Sequence, residues 1–378
     1  MRKAPQTTSS RAKKPVAVPA VPARVLVKGP VLAGFTGAMK WLLDRTDIER
    51  IRPTRAVADM LKLDRMHALM TLLGEPQNAV RHIHIGGTKG KGSTCEMTAS
   101  CLEACGYTVG IYTSPHIMDI RERIRINSRQ ISHADFARVA QSVADGAANL
   151  PASSGEPTFF ELITAMAFVY FAEEAVDAAV IEVGLGGRLD STNVIMPEVV
   201  AITSISLDHT QILGDTVELI AAEKAGIFKP GVPALTIPQK PGVIEVFRDA
   251  AARVGCPLQV VGQDIDFSMR FEASANRAPQ ARVCLTTARN SFEHLVVPIL
   301  GEHQAGNCGL TLAILDKLTE RGFDIPESKV TRGLAAVKAP GRMEMAWNSP
   351  RVLVDGAHNT DSIRCLIKAI GANIPYDS

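Results

Sequence analysis

"HIGGTKGKGSTCEM" runs from His84 to Met97. It begins in the apolar stretch "RHIHIGG", read as a strand, and ends in "STCEMTASCLEACG", read as a helix stopped by Gly106. Strand, glycine-rich turn, helix is the context a phosphate loop requires. The turn's N–H groups form an anion nest, and the helix adds its positive N-terminal end. The general spelling is G-x-x-x-x-G-K-[ST], with a hydroxyl directly after the lysine. Here Gly92 follows Lys91, and Ser93 comes one place late. Lys91 suits a terminal phosphate as a point charge, and Ser93 suits a phosphate or Mg²⁺. The spelling alone leaves two readings open, a nucleotide site or a glycine turn with solvated lysines.

Outward from this loop the chain alternates strands and helices. "TVGIYTS" (Thr108–Ser114), "AAVIEVG" (Ala178–Gly184), "VVAITSIS" (Val199–Ser206) and "VPALTIPQ" read as strands. The near-continuous apolar runs among them are those of strands covered on both faces. Helices are expected at Phe35–Thr46, Thr54–Leu73, Ala134–Ala148, Glu161–Ala175 and "VELIAAEKAGIF". Such alternation predicts an α/β fold with a doubly wound, mostly parallel sheet. Around Val261–Leu300 short β pieces surround polar turns, which places a domain junction near Pro298. Helices at His303–Glu320 and Ser328–Val337, the strand "RVLVDGA" and the helix "TDSIRCLIKAIG" follow.

Open α/β sheets place ligands at the carboxyl ends of their strands. Three such ends carry chemistry here: the Gly/Lys/Ser loop, Glu182 in "IEVGLGGRLDSTN", and Asp208 with His209 in "SISLDHTQILGDT". Taken singly, Glu182 reads as a cap or salt-bridge partner and His209 as a satisfied loop histidine. Together they suit a hard cation beside phosphates, which prefers oxygen ligands.

Bulk properties exclude other classes. Of 378 residues, 46% are hydrophobic and 21% charged, an ordinary globular mixture, and the net charge of +2 gives no reason to expect nucleic acid. The longest apolar run, Leu162–Ala172, is too short to span a bilayer and reads as a buried helix. Seven cysteines without a dense disulfide pattern or metal-ligand spacing fit thiols in a reducing cytoplasm. Met1 to Leu43 contains no acidic residue, and residues 1–31, rich in Pro, Ala and base, are expected to form a disordered tail.

The motifs "GTKGKGST", "YTSPHI", "RERIRIN", "TFFELITAMAF", "IEVGLGGRLDSTN", "TSISLDHTQILG", "AAEKAGIFKPGVP", "GEHQAGN", "APGRME" and "DGAHN" occur in this order. From about Phe35 to the C-terminus the chain resembles folylpolyglutamate synthase/dihydrofolate synthase, a branch of the Mur ligase superfamily. The resemblance implies a Mur-ligase-type central domain over 32–297 and an incomplete Rossmann-like C-terminal α/β domain over 298–378. It implies an ADP-forming ligase that adds L-glutamate to a folate or to dihydropteroate through an acyl phosphate, as a cytoplasmic monomer. The family's loop, G-T-N-G-K-G-[ST], makes the late Ser93 regular.

By the same resemblance ATP falls on Gly87, Thr88, Lys89, Gly90, Lys91, Gly92, Ser93, Asn307, Arg342 and Asp355, and Mg²⁺ on Ser114, Glu182 and His209. Substrate contacts map to Thr158, Phe159, Phe160, Glu161, Leu189, Asp190 and Ser191. Lys91, His209, Lys224, Arg342 and His358 are the implied catalytic set, with Lys224 carbamylated in relatives, a reaction that needs a neutral amine. Arg188 reads equally as an anchor for an anionic substrate or as a loop-bracing ion pair.

Two departures stand out. Lys89 replaces the family's usual Asn; it adds a phosphate contact or points to solvent, the second being favoured because Lys91 already holds the phosphate-facing place. The family's C-terminal domain continues past "DGAHN" with further β–α units, whereas one helix and a polar stub follow here. A shortened chain raises the alternative of a nucleotide- or folate-binding remnant without catalysis. A peptidoglycan Mur ligase is disfavoured, because about fifty orderable residues before His84 are too few for its UDP-sugar domain.

Overall fold

The computed structural model describes residues 27–47, 49, 61–274, 277–357 and 360–373. The element order is α1 (Gly34–Leu43), α2 (Leu63–Leu72), β1 (His82–Gly86), α3 (Lys91–Cys105), β2 (Val109–Tyr112), β3 (Ile124–Ile126), β4 (Arg129–Gln130), α4 (His133–Ala147), α5 (Phe159–Glu173), β5 (Ala178–Glu182), β6 (Val199–Ile202), α6 (Thr210–Leu213), α7 (Val217–Ala225), β7 (Ala234–Thr236), α8 (Pro241–Val254), β8 (Leu258–Val260), β9 (Asp266–Ser274), β10 (Arg277–Thr286), β11 (Ser291–Val296), α9 (Glu302–Glu320), α10 (Glu327–Ala336), β12 (Glu344–Asn348), β13 (Arg351–Val354) and α11 (Thr360–Asn373).

Eight strands form the central sheet in the order β4-β3-β2-β5-β1-β6-β7-β8. From β2 to β8 every pairing is parallel, and the short β3 and β4 add an antiparallel edge. The apolar runs of β1, β5 and β6 are buried along their whole length, as a sheet covered on both faces demands. Side chains alternate between the faces. Ile83 and Ile85 join α3, α9, α10 and the small sheet β9–β11 in one hydrophobic cluster. His82, on the other face, meets Phe168 of α5 edge-on at 5.6 Å. There α1, α2, α4 and α5 form a second cluster, and a third packs α7 and α8 against β6 and β7.

Local sequence explains where the helices start. Thr158 caps α5 by accepting the Glu161 N–H at 3.2 Å, while Glu161 Oε2 accepts the Thr158 N–H at 2.7 Å, a reciprocal box. Ser132 and Thr216 cap α4 and α7 by accepting the N–H groups of Asp135 and Leu219, without the return bond. Gly106, in the left-handed region at φ +100°, ends α3.

Two expectations change. Residues 27–31 are not a loose tail: the N–H groups of Val27 and Gly29 donate to Asn149 and Asp145 at 2.9 and 2.8 Å, fastening this stretch along the end of α4. The junction near Pro298 is not where packing separates. α9 and α10 lie after it, yet Leu310, Leu312, Ile314, Val330 and Leu334 belong to the same core as β1 and α3. The antiparallel hairpin β12–β13 comes after α10 and contributes no residue to that core. The arginine-rich segment after Ser114 contains β3 and β4, too short for any period to show in the sequence. The N-terminal part of the helix expected at Thr54–Leu73 lies outside the described residues.

Candidate active site

The carboxyl ends of β2, β5, β1 and β6 are adjacent in the sheet, so Ser114, Glu182, the glycine loop and His209 fall on one rim. The loop leaves β1 at Gly86 and enters α3 at Lys91. Gly87 (φ +133°) and Gly90 (φ +91°) hold backbone conformations that L side chains rarely adopt. A Cβ on Gly87 would overlap the Thr203 hydroxyl, and one on Gly90 would overlap the Asn307 carboxamide from α9. Asn307 therefore lies directly against the loop.

Lys91 Nζ stands 3.9 Å from Glu182 Oε1, and Glu182 Oε2 accepts the Ser114 N–H at 3.1 Å. Burial raises the Glu182 pKa, opposed by the Lys91 charge and the Ser114 N–H. Arg342 also acts on Glu182, and a Cβ on Gly92 would lie 3.8 Å from its guanidinium. Lys224, buried in α7, donates to the Gly87 carbonyl at 2.8 Å. Burial, reinforced by Lys91, lowers its pKa to about 7, so a neutral amine is within reach near neutral pH. His209 is half-exposed in a left-handed turn at φ +48°, and partial burial together with nearby Lys224, Lys91 and Lys89 keeps its pKa low.

Lys89 departs from the expectation that it points to solvent. Its ammonium pairs with Asp208 at 3.2 Å, three-quarters covered. Asp355 accepts the N–H groups of Met343 and Ala357 at 2.9 and 2.8 Å, tying the turn that carries Arg342 to the turn after β13. His358 lies outside the described residues.

The residues expected to touch substrate sit differently. Glu161 is buried in a bidentate ion pair with Arg65, at 2.9 Å from Nε and 2.8 Å from NH2. Phe159 and Phe160 are core residues, the first under the Arg123 guanidinium at 5.3 Å. Asp190 is buried, accepts the N–H groups of Leu185 and Thr192 at 2.8 and 2.9 Å, and caps the short turn Ser191–Val194. Burial raises its pKa, and the hydrogen bonds from Thr192 oppose that. Thr158 and Ser191 are buried beside them, and Leu189 is partly covered. Arg188 takes the bracing role, donating to Glu223 at 2.9 Å.

Sequence reasoning passed over Arg65, which belongs to no quoted motif. It also passed over Asp208 as the partner of Lys89, although both stood in quoted motifs. Arg123 was missed too; it is buried, bonds His116 Nδ1 at 2.8 Å and pairs with Glu49, fixing the loop after Ser114.

The Mur ligase middle domain family matches residues 85–315. A dihydrofolate synthase/folylpolyglutamate synthase of Bacillus subtilis is 38% identical over 311 residues, 82% of this chain and 71% of that protein. The chain belongs to the folylpolyglutamate synthase/dihydrofolate synthase family. The Mycobacterium tuberculosis member is 36% identical over 83% of this chain and 67% of its own length. Among solved structures, the apo form of Lacticaseibacillus casei folylpolyglutamate synthase superimposes with a TM-score of 0.80 at 34% identity, over 89% of this chain and 80% of that one. A folylpolyglutamate synthase complex with AMPPCP and folate matches equally, with a TM-score of 0.80. These family members share the glycine-loop rim's fold, a mostly parallel sheet flanked by helices.

Proposed function

We propose that this rim uses ATP to join L-glutamate to the carboxylate of a folate or of dihydropteroate, releasing ADP and phosphate. The observation that carries the reading is the convergence of Lys91, Glu182, Ser114, Lys224 and His209 on a glycine loop braced by Asn307 and faced by Arg342. A carboxylate is a poor electrophile. A carboxylate oxygen attacks the terminal phosphorus, ADP leaves, and the mixed anhydride is open to attack by the glutamate amine. The tetrahedral adduct then expels phosphate. The protein's part is positioning and the stabilisation of spread negative charge. Lys91 and the loop N–H groups suit the phosphates, and Arg342 suits charge that moves between donor and acceptor.

The donor set also fits Mg²⁺. Glu182 is a buried carboxylate with a raised pKa beside the phosphate lysine, a group that a cation would hold charged. Among the described residues no cluster of three His, Cys, Asp or Glu could hold a metal. One carboxylate, the Ser114 hydroxyl and neutral His209 are what a Mg²⁺ completed by water and phosphate oxygens requires. Bound there, the ion would neutralise phosphate charge. Lys224 is the residue suited to carbamylation, since its amine is half neutral near pH 7.

For the folate-side residues, the reading is that Thr158–Glu161 and Asp190–Ser191 shape the wall of the substrate site, with Arg65 and the Thr192 hydroxyl holding their carboxylates. The reading also includes a cytoplasmic monomer, in keeping with seven unpaired cysteines. No helix among the described residues is long and apolar enough to cross a membrane.

The test is a phosphate-release assay with ATP, Mg²⁺, L-glutamate and either dihydropteroate or tetrahydrofolate. Phosphate is expected only when all components are present, with a product heavier by one glutamyl residue. UDP-sugars are expected not to stimulate turnover. Folded protein that binds ATP and releases no phosphate with either acceptor would overturn the reading.

A further inference from the structure

The first lysine of the glycine loop has a defined structural partner. Lys89 Nζ meets Asp208 Oδ2 at 3.2 Å, with both side chains about three-quarters or more covered. The other oxygen, Oδ1, accepts the His209 N–H at 3.1 Å. Asp208 thus divides its carboxylate between the glycine loop and the residue that follows it. That residue is held at φ +48°, where a side chain with a Cβ is uncommon and needs local support.

The backbone of the same stretch is already joined to the loop. The Thr88 N–H donates to the Ser204 carbonyl at 2.8 Å, and Lys89 and Ser204 form an isolated antiparallel bridge. The Ser204 hydroxyl returns to the Lys89 carbonyl at 3.2 Å, and the Ser206 N–H donates to the Thr88 hydroxyl at 3.2 Å. These bonds fix the first half of the segment after β6. Beyond Ser206, the Lys89–Asp208 pair is a side-chain link that carries the constraint to His209.

We propose that Lys89 is a positioning residue: through Asp208 it clamps the segment after β6 to the phosphate loop and holds His209 in its left-handed turn at the metal side of the site. The metal part rests on the reading of His209 given above. A partly buried pair can do this where a surface pair cannot, because covered charges are screened less. Lys89 acts on the nucleotide through Asp208 and His209, and Lys91 contacts it.

The test combines two measurements on wild type, Lys89→Ala, Asp208→Ala, the double variant and Lys89→Arg. Amide hydrogen exchange, without metal or nucleotide, is expected to show lost protection at His209 in both single variants. The double variant should lose no more, and Lys89→Arg should keep protection. Calorimetric affinity for AMPPCP is then measured with and without Mg²⁺. Both single variants are expected to lose about tenfold of the Mg²⁺-dependent tightening, non-additively, as for residues in contact. Unchanged exchange at His209 would overturn the clamp. So would metal-free binding that weakens in Lys89→Ala and strengthens in Asp208→Ala, which would make Lys89 a phosphate ligand. If Mg²⁺ does not tighten binding in wild type, the metal reading fails, and the exchange result alone decides the clamp.

Discussion

Two sets of motifs carry the family signature, and the fold treats them in opposite ways. Around the glycine loop, charged groups are brought close and left partly paired. Lys91 is 3.9 Å from Glu182, beyond hydrogen-bond reach, and Lys224 holds a loop carbonyl with its pKa lowered to about 7. In "TFFE" and "LDS" the charged groups are closed off. Glu161 is saturated by Arg65 and its own cap, and Asp190 by Leu185 and Thr192. Similar residue types are left partly paired in one place and saturated in the other. The difference lies in whether the hydrogen-bonding capacity is already filled.

The contrast can be broken from either side. Lys91→Ala should lower turnover by about a hundred- to a thousandfold or more with the fold intact, as for loss of one preorganised transition-state donor. Steady-state phosphate release beside a melting curve would check it; a loss matched by Lys89→Ala would show that the two lysines are not divided in role. Glu161→Ala should act on stability, at about 3–5 kcal/mol, because it strands a buried Arg65 charge. Denaturant unfolding measures this, and an unchanged midpoint with a raised KM for the acceptor would make Glu161 a direct substrate contact instead of a residue that shapes the wall from behind.

Lys224 gives a pH signature. An amine whose folded pKa is lowered carries a penalty that is full below about 7 and fades as pH rises toward its ordinary 10.5. Lys224→Met should therefore stabilise most at pH 6, on the order of a few kcal/mol, and progressively less by pH 9. Thermal melts across that range read it, and a flat difference would contradict the shift. Arg188→Ala should be the mildest change, at about 0–1 kcal/mol with no change in acceptor KM, since its pair with Glu223 is exposed. A large rise in that KM would restore the anchoring role.

Much of the architecture was legible. The buried runs of β1, β5 and β6 and the capped α5 announce a doubly wound sheet, and the strand-end rule places Glu182 and His209 beside the loop. The helix α8 is missing from the sequence-based expectation although its signals are present: Pro241 in the first turn, apolar Val243, Ile244, Phe247 and Ala251, and a left-handed Gly255 at its end. The continuity of the core across Pro298 was hidden for a physical reason. The polar turns near Pro298 look like a linker, but the apolar side chains of α9 complete a core begun at β1, and only contacts distant in sequence reveal that. The partners of Lys89 and Glu161 were hidden likewise, lying 119 and 96 positions away.

The central claim is that this rim activates the acceptor's carboxylate with ATP, and oxygen tracing tests it most directly. The acceptor would carry ¹⁸O in its reacting carboxylate, and the released phosphate would be analysed by mass. The oxygen that attacks phosphorus stays with it when the tetrahedral adduct collapses, so one ¹⁸O should appear in inorganic phosphate for each amide formed. Phosphate free of label, with glutamylated product accumulating, would contradict the acyl-phosphate route and the role assigned to this site.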